Sequence, residues 1–451
     1  MFLQNISIRN FRNLQHLDAT FERGLNVIVG PNNIGKTNLF LAIRHCLGPS
    51  ASRGDALALI EDDLFRKPQG EPITEPIRID ITFAGLSGDQ FAQFFEIMDF
   101  DHNDLTKSTA KIHFEANWSK DKSRFSIKRW GGPVAGEHSQ IPPDIIEALP
   151  LTFLPALRDA EISLMPGSRS RLARVLGDLS RQSTDDHETE IVRIFSEANQ
   201  KLKDVRLISD AENKLNESAK EMAGNDFSRS SIAAMKPEFS RVLRTLRILI
   251  DENPVPELGS SGLGYNNLLY LATVLAQIEI PPKDECPVLL IEEPEAHLHP
   301  QLVVLLAKYL AKKLSPEQHA QAIVSSHSPT FAANVKPSQV LVMFKDNADG
   351  IHCNALARLN LEPTEERQLQ RMLDITKASL YFSKALILVE GISEALLLPE
   401  LAERLGHDLG KSHISVIPIC GVAFETFKAL FGADALGIRV AILTDSDPPV
   451  T

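Results

Sequence analysis

The chain has 451 residues and a formal net charge of −12, and 43% of its residues are hydrophobic, which is ordinary for a soluble globular protein. At roughly 150 residues per domain, this length predicts about two to four domains. An acidic chain is poorly suited to coating nucleic acid non-specifically, because that binding depends on cations that neutralise phosphates. A local basic groove, or metal ions held by carboxylates, would still be compatible with DNA as a substrate.

The cysteines and the N-terminus indicate the compartment. The four cysteines are widely spaced and form neither a CxxC pair nor a zinc pattern. The first residues alternate as a strand does and lack the long apolar region of a signal peptide. No apolar stretch approaches the roughly 18 residues needed to span a bilayer. We therefore expect a soluble, cytoplasmic protein with reduced thiols and no membrane partner.

The first third of the chain predicts a mainly β region around one helix. Alternating or short continuous apolar patterns predict strands at residues 2–8, 25–29, 76–83 and 111–116. Apolar residues at helical spacing predict a helix over residues 37–47. The polar stretch 121–143 is rich in Gly and Pro and predicts loops.

The middle of the chain has a different pattern. Apolar residues recur every three or four positions from Ile191 to Val205, with charged residues between them. This pattern is typical of an amphipathic helix, and we expect several such helices between residues 160 and 250. The apolar stripe is compatible with packing inside the chain or against a second copy, and we slightly favour packing inside the chain.

The last part of the chain predicts parallel α/β structure. Apolar runs at residues 287–291 and 321–325 predict buried strands, with a helix over 301–314 between them. Residues 362–383 predict a polar, then helical connector. The elements predicted after it are a strand at 385–389, a helix at 393–405 and a strand at 440–443.

The segment Gly30–Thr37 fits the phosphate-loop pattern G-x-x-x-x-G-K-[ST] between a predicted strand and a predicted helix. Glycines and backbone N–H groups of such a loop wrap around phosphate, and the helix N-terminus faces the negative charge. The cofactor-binding candidates are Gly30, Asn32, Asn33, Gly35, Lys36 and Thr37. Lys36 would neutralise the β- and γ-phosphates of ATP, and the Thr37 hydroxyl would bind Mg²⁺. An ordinary glycine turn is the weaker alternative.

An apolar strand, VLLI, ends in two acidic residues, Glu292 and Glu293. The first would hold Mg²⁺, directly or through water, and the second would orient the attacking water. Many phosphate-loop ATPases carry Asp at the first position, so direct metal contact by Glu292 is the weaker part of this assignment. A solvated acidic turn before Pro294 is the alternative, and the phosphate loop makes it improbable.

His327 follows another apolar strand, where a histidine can sense the γ-phosphate, although taken alone it would more often be structural. The nearby His297 and His299 do not predict a zinc site, because no further Cys or His ligands lie near them. Small residues, including Ser261, Gly262 and Gly264, precede a helix predicted to start near Asn266. They would expose backbone N–H groups to an anion. A flexible loop with an N-cap explains them equally well.

This arrangement resembles the ABC-type ATPase heads of the RecF/SMC group. Residues Ile8–Arg12 are similar to their opening strand, and residues 259–264 lie where those heads carry the signature loop. Glu295–Pro300 lies at the place of their D-loop, and His327 at that of their switch histidine. In such heads two copies sandwich ATP, so the resemblance implies a homodimer or a higher homo-oligomer.

A second set of acidic residues follows two later strands. Glu390 and Glu394 lie in LVEGISE, and Asp445 and Asp447 lie in LTDSD. In a parallel sheet both sets project from one edge, where divalent cations such as Mg²⁺ or Mn²⁺ would offset their repulsion. Such a site can polarise a phosphodiester and activate water. A surface turn and a helix N-cap are the alternative, at near even odds for either motif alone.

Together these motifs resemble a Toprim domain, with Glu390 in its first motif and Asp445 and Asp447 in its DxD motif. A phosphate-loop ABC head followed by Toprim is similar to the OLD (overcoming lysogenisation defect) family. The resemblance implies an ATP-dependent DNA endonuclease, some members of the family acting in phage defence, with a helical dimerisation insert. DNA and a helicase-like protein are the further partners that we predict.

The expected fold class is α/β, an ABC-type ATPase head with a helical insert followed by a Rossmann-like Toprim domain. The expected parts are the head's N-terminal part at 1–160, the insert at 161–250, the head's C-terminal part at 251–375 and Toprim at 380–451. Toprim folds normally continue through more strands after the DxD motif, so we expect an incomplete Toprim domain with weak nuclease activity. The alternatives are a RecF/SMC-like ATPase that does not cut DNA, and a nucleotide sensor in which ATP silences the nuclease.

Overall fold

A computed structural model of the chain describes all residues except 49–57, 68–69, 71–72, 74, 134–140, 150, 157–163, 168–169, 224–228, 235, 250–261, 279–286, 318–319, 347, 420–423, 433–434 and 446–451. The chain divides into two compact units. The first comprises Met1–Leu157 with Pro282–Thr451, and the second comprises Arg158–Pro281. Among the described residues, no helix combines the length and apolarity that a bilayer crossing requires.

An antiparallel sheet makes up much of the N-terminal part. Its strands, numbered along the chain, are β1 (Phe2–Phe11), β2 (Leu14–Thr20), β4 (Ile77–Ala84), β5 (Met98–Asp99), β6 (Thr109–Ser119) and β7 (Arg124–Gly131). Their order is β2-β1-β4-β6-β5, and β7 also pairs with β6. Along β4, residues that are buried alternate with residues that are not. One face of the sheet therefore covers the core, as the alternation at 2–8 and 76–83 predicts.

The prediction of loops over residues 121–143 is wrong in its first half. Residues Arg124–Gly131 form β7, which pairs antiparallel with β6 from Ser119↔Arg124 to Ile112↔Gly131. Its middle residues are mostly exposed, so the strand has no continuous apolar run that could reveal it. Pairing with a partner strand, rather than local hydrophobicity, determines this strand.

A mixed sheet forms the centre of the first unit. It contains β3 (Leu25–Val29), β8 (Leu151–Leu154), β9 (Val288–Glu292), β10 (Gln321–Ser325), β11 (Val340–Lys345) and β12 (Ile351–Ala355). The order is β12-β11-β3-β10-β9-β8, and every neighbouring pair is parallel except β11 with β12. All residues of β3, β9 and β10 are buried. Their continuous apolar sequences are typical of central parallel strands covered on both faces.

Helices cover these sheets. The first unit contains α1 (Lys36–Leu47), α2 (Gly88–Gln93), α3 (Pro143–Glu147), α9 (Pro300–Lys313), α10 (Pro329–Ala332) and α11 (Pro363–Met372). Helix α1 packs against β1, β4 and β6 of the antiparallel sheet and against β8 of the mixed sheet. Its apolar residues Leu39, Phe40 and Ile43 are fully buried. The helix that follows the phosphate loop is thus embedded in the core between the two sheets.

The second unit is helical among its described residues. It contains α4 (Arg171–Gln182), α5 (His187–Lys203), α6 (Arg206–Ala223), α7 (Phe239–Leu243) and α8 (Leu263–Ile278). Helix α5 confirms the predicted amphipathic helix, but none of its residues is fully buried and Ile194 is 49% exposed. Internal packing thus covers the stripe only in part. Helix α8 begins at Leu263, earlier than predicted, so Gly264 lies in its first turn.

The third sheet is parallel and has the order β14-β13-β15, formed by β13 (Ala385–Val389), β14 (Ile414–Pro418) and β15 (Arg439–Leu443). Helices α12 (Ile392–Arg404) and α13 (Phe424–Lys428) accompany it. The turn before β15 packs on the mixed sheet, where Asn354 Nδ2 donates to the Ala435 carbonyl oxygen at 2.8 Å. Gly437 has φ +62°, and a Cβ added there would overlap the Phe344 ring of β11.

Gly437→Ala should therefore lower the stability of the protein, because it combines left-handed strain of about 1–2 kcal/mol with overpacking of about 1–3 kcal/mol against Phe344. Gly406→Ala is the matched control, since Gly406 has φ +85° with open space around it. Thermal melting should show a clearly larger loss for Gly437→Ala. Equal losses would contradict the packing of Gly437 on Phe344.

Candidate functional site

The phosphate loop joins β3 to α1 through a tightly packed turn. Gly30 has φ +146°, and a Cβ there would overlap the Met343 carbonyl oxygen of β11. Gly35 has φ +112°, and its Cβ would lie 2.9 Å from Asn13 Oδ1. Asn33 also has a positive φ, of 60°. Glycine is required at both ends of the loop, because backbone strain and close neighbours each exclude a side chain.

The Lys36 side chain lies under this loop and is only 4% exposed. Its Nζ donates to the carbonyl oxygens of Gly30 at 2.7 Å and Pro31 at 3.0 Å. It also lies 3.4 Å from His327 Nδ1. Burial lowers the pKa of Lys36 to about 8, and the negative charge of Glu293 partly opposes this shift. The ammonium group is thus held at the loop, where a phosphate would meet it.

Thr37 and Glu292 form the part of the site suited to a cation. Glu292 ends β9 and is 7% exposed. Burial raises the pKa of its carboxyl group, and a hydrogen bond from the Thr37 side chain opposes the shift. A hydroxyl and a carboxylate are oxygen ligands of the kind that Mg²⁺ prefers, with phosphates and water supplying the rest. These two residues therefore fit the predicted metal ion.

Glu293 and His327 face each other across the ends of β9 and β10. The backbone N–H of Glu293 donates to the Ser325 carbonyl oxygen at 2.9 Å, and Glu293 has φ +42°. Its Oε1 lies 3.5 Å from His327 Nε2. Burial and then the charge of Lys36 lower the pKa of His327, against the opposing charge of Glu293. The imidazole therefore links Lys36 to Glu293 as a neutral ring near neutral pH.

Glu295 fixes the loop that carries His327, a role that the sequence analysis did not assign. Its Oε1 accepts hydrogen bonds from Ser326 Oγ at 2.7 Å and from the His327 backbone N–H at 2.9 Å. Burial raises the pKa of this carboxyl group. The resemblance placed Glu295 at the D-loop, but no local pattern shows that it reaches across to the next strand.

A second network that the sequence did not reveal connects the β1–β2 turn to the phosphate loop. Arg12 pairs with Asp63 at 2.7 Å and donates to Asn38 Oδ1 at 3.1 Å. Asn38 Nδ2 donates to Asn13 Oδ1 at 2.8 Å, and Asn13 Nδ2 donates to the Asn33 carbonyl oxygen at 3.2 Å. The turn thus holds the phosphate loop through side-chain amides.

The predicted signature residues belong to the second unit. Ser261 lies outside the described residues, Gly262 directly precedes α8, and Gly264 lies within it. Contact of Gly262 and Gly264 with a nucleotide stays a prediction. Asn32 and Asn33 are exposed on the phosphate loop itself.

The later acidic residues meet at one edge of the third sheet. Strands β13 and β15 pair with Val389 opposite Leu443, so Glu390 and Asp445 follow neighbouring strand ends. Glu390 Oε2 accepts a hydrogen bond from the Asp445 backbone N–H at 3.1 Å. The two motifs thus lie at one sheet edge for this pair, as predicted, while binding of a divalent cation by their carboxylates stays a prediction. Asp447 lies outside the described residues.

Glu394 makes a structural contact. Its Oε2 accepts a hydrogen bond from the Gly391 backbone N–H at 2.9 Å, which caps α12. This contact matches the N-cap alternative for the LVEGISE motif. Within the described part of the chain, no group of three or more His, Cys, Asp and Glu residues is arranged to hold a metal ion. The metal roles of Glu390, Glu394, Asp445 and Asp447 stay predictions.

Two family models match the two halves of this site. Residues 25–333 match the model described as AAA domain, putative AbiEii toxin, Type IV TA system. Residues 381–447 match the model of the Overcoming lysogenization defect protein-like TOPRIM domain. The chain belongs to this AAA-domain family and carries an OLD-like TOPRIM domain after it. The predicted α/β fold class, an ATPase head followed by a Toprim domain, is confirmed. The ABC type of the head and the boundaries of the parts stay predictions.

Relatives named as nucleases align with nearly the whole chain. Old nuclease of Escherichia phage P2 is 25% identical over 99% of this chain and 77% of its own length. Endonuclease GajA of Bacillus cereus (strain VD045) is 21% identical over 99% of this chain and 75% of its own length. OLD nuclease of Thermus scotoductus is 24% identical over 99% of this chain and 82% of its own length. The similarity thus joins the phosphate loop and the Toprim edge in one OLD architecture.

Two substitutions of Glu295 distinguish the effect of losing its hydrogen bonds from the effect of losing its charge. Glu295→Ala leaves Ser326 Oγ and the His327 N–H without their acceptor, at a cost of about 1–3 kcal/mol for each buried group. Glu295→Gln keeps an acceptor oxygen and should stay close to wild type in stability and ATP turnover. Denaturant unfolding and an ATPase assay on both variants measure these effects.

The pH dependence gives a second test of the same residue. Because burial raises the pKa of Glu295, the folded state binds more protons there than the unfolded state does. The stability of wild type should therefore fall, relative to Glu295→Gln, as the pH rises above about 4.5, the ordinary pKa of this carboxyl group, towards the raised pKa of the folded state. A rise over the same interval would contradict the burial of this carboxylate.

Proposed function

We propose that this protein binds and hydrolyses ATP at its phosphate loop and cleaves DNA at its Toprim edge with a divalent metal ion. The observation that carries the proposal is the continuous set of contacts from Lys36 through His327 to Glu293, beside the Thr37–Glu292 pair. This set combines a phosphate-binding cation, a cation site and a carboxylate placed to orient water. The names of the relatives support nuclease activity in the second half.

In the ATPase half, the loop N–H groups and Lys36 bind the β- and γ-phosphates. Thr37 and Glu292 would hold Mg²⁺, which would neutralise charge on the phosphates. Glu293 orients the water that attacks the γ-phosphate, whereas Glu292, the last residue of β9, serves the metal ion with Thr37. The two successive glutamates therefore have different roles. His327 contacts both Lys36 and Glu293. Phosphate binding at Lys36 can therefore affect Glu293, the carboxylate that orients water, through this imidazole.

In the Toprim half, Glu390, Asp445 and Asp447 would hold Mg²⁺ or Mn²⁺, with Glu394 as a further ligand. A metal ion there would polarise the phosphodiester and activate water. The chain's own contribution is to hold Glu390 and Asp445 together, through strand pairing and the hydrogen bond from the Asp445 N–H. The choice between Mg²⁺ and Mn²⁺ is part of the proposal.

We also propose a homodimer or higher homo-oligomer, in which the signature residues of one copy complete the nucleotide site of another. Helix α6 supports this, because Leu207, Leu215 and Met222 are 76%, 58% and 83% exposed and lie on one side of the helix. An exposed apolar face of this kind marks an interaction surface. A cytoplasmic location, a helicase-like partner and a role in phage defence belong to the same proposal.

Two substitutions test the ATPase. Lys36→Ala removes the cation that binds the phosphates, so ATP binding and turnover should both collapse. Glu293→Gln should slow turnover by about 100-fold or more while sparing ATP binding, because it removes only the carboxylate that orients water. Equilibrium binding of a fluorescent ATP analogue, measured beside phosphate release, separates the two effects.

The control is Glu96→Gln, which makes the same chemical change at an exposed residue outside the site. Turnover by this variant should match wild type. Wild-type turnover in both site variants would show that the phosphate loop and the strand-end glutamates do not form the ATPase site.

Two further substitutions test the nuclease. Glu390→Ala and Asp445→Ala should each abolish cleavage of supercoiled plasmid in Mg²⁺ or Mn²⁺ and leave ATP hydrolysis largely intact, because the two sites use different residues. Glu403→Ala removes an exposed carboxylate from α12 and serves as the matched control. EDTA should stop cleavage by every active variant.

The non-cutting ATPase of the RecF/SMC type predicts a different outcome. It would hydrolyse ATP without cutting plasmid under any metal condition, in this chain and in any longer form of the protein. Cleavage that persists in EDTA, or full cleavage by Asp445→Ala, would contradict the Toprim assignment.

A further inference from the structure

A groove of about 1550 Å³ lies within the first unit, between the phosphate loop and the Toprim sheet. Its first wall contains the outer side of the phosphate loop, the β1–β2 turn and residues 65–67. Its floor is the β11–β12 hairpin, and its second wall contains the first residues of β13, β14 and β15. The ATPase half and the Toprim half therefore form this groove jointly.

The groove is basic in an acidic chain. Five Arg and Lys side chains line it against two Asp side chains, a balance of +3 where the whole chain carries −12. Some of these charges are paired, as Lys345 is with Asp349 at 2.7 Å. Lys67 on the ATPase wall and Lys384 on the Toprim wall are both exposed. Cations on two facing walls favour a ligand that carries phosphates along its length.

Aromatic and amide side chains accompany the cations. Phe65 lies on the ATPase wall and Phe431 on the Toprim wall, and both are half-buried. The amides of Asn13, Gln15 and Asn32 line the groove near the phosphate loop. Rings on which bases stack, beside cations that follow the backbone, are the features that bind single-stranded nucleic acid. A duplex would leave the rings unused, because its base faces are stacked inside.

The volume also indicates a ligand longer than one nucleotide. Small-molecule sites usually occupy about 300–1,000 Å³, whereas this groove has about 1550 Å³. Its lining extends from the phosphate loop to the first residues of β15. A short stretch of a polymer fits this extent.

We propose that the groove binds a single-stranded segment of DNA, with its phosphates on Lys67 and Lys384 and its bases against Phe65 and Phe431. The proposal rests on DNA being the substrate of this protein and names where a part of that substrate is held. The groove meets β13 and β15 at their first residues, whereas Glu390 and Asp445 follow their last residues. At about 3.3 Å per residue, the groove and the carboxylates lie roughly 15 Å apart, so the bound segment flanks the cleavage site.

The test measures fluorescence anisotropy of a labelled oligo-dT, in EDTA and without nucleotide, so that neither cleavage nor ATP binding contributes. The variant Lys67→Glu with Lys384→Glu should bind the oligonucleotide at least tenfold more weakly. Its salt dependence should be shallower by about 1.4, because each lost phosphate contact on a single strand contributes about 0.7. Lys122→Glu with Lys128→Glu makes the same charge change at exposed residues outside the groove and should bind within about threefold of wild type.

A second variant tests the stacking. Phe65→Leu keeps an apolar side chain but removes the ring, so it should weaken oligo-dT binding about fivefold or more. A blunt duplex of the same length should be affected by less than about twofold. Basal ATP turnover and the melting temperature should match wild type in the lysine variant, because Lys67 and Lys384 are exposed and lie outside the ATP contacts.

Unchanged oligonucleotide affinity in the lysine variant would overturn the proposal. A loss of ATP affinity in place of DNA affinity would also overturn it, because the groove would then bind the nucleotide. An equal loss of affinity for oligonucleotide and duplex would do the same, because it would indicate a general electrostatic surface. The nuclease proposal fails separately. A protein that binds oligo-dT through the groove but cuts no plasmid contradicts only cleavage, and one that cuts plasmid while the lysine variant binds normally contradicts only the groove.

Discussion

The ATPase half depends on keeping one ammonium group charged in a buried place. An ammonium group removed from water costs several kcal/mol unless partners compensate for the lost hydration. For Lys36 these partners are the carbonyl oxygens of Gly30 and Pro31, which accept hydrogen bonds from its Nζ. Those carbonyls face inward only because the loop turns sharply at Gly30, where β11 leaves no room for a side chain. The glycine, the neighbouring strand and the buried ammonium group therefore depend on one another.

Strand β11 contacts both the phosphate loop and the Toprim half. Met343 borders Gly30 of the phosphate loop, and the ring of the next residue, Phe344, packs against Gly437, which lies just before β15. Phe344 also stacks on His352 of β12, with ring centroids 5.4 Å apart. Since β11 is buried along most of its length, it cannot shift without disturbing both neighbours. The two halves of the molecule thus share a packed strand as well as a connecting segment.

The sequence predicts those features of the site that depend on neighbours along the chain. The phosphate loop, the buried strands that end at Glu292 and Ser325, and the strands before Glu390 and Asp445 each have a local pattern, and the structure contains all of them. Features that depend on distant partners have no such pattern. Strand β7 forms because β6 is beside it. Glu295 fixes His327 from a different strand end, and Asn38 reaches the phosphate loop through Asn13. Periodicity cannot predict these contacts, because they are properties of the folded arrangement.

The arrangement of the parallel strands also keeps the ATPase site apart from the Toprim carboxylates. Acidic residues follow the carboxyl ends of parallel strands in both halves, at the edge where open α/β sheets place their ligands. In the Toprim sheet, however, the opposite edge faces the phosphate loop across the basic groove. Strand β15 begins at Arg439 in that groove, and Asp445 follows its other end. A short, paired strand moves as one piece, so a ligand that contacts Arg439 and a cation held by Asp445 would act on the same element. Because Gly437 packs on Phe344 of β11 just before this strand, a displacement of β15 would also disturb the strand that borders the phosphate loop.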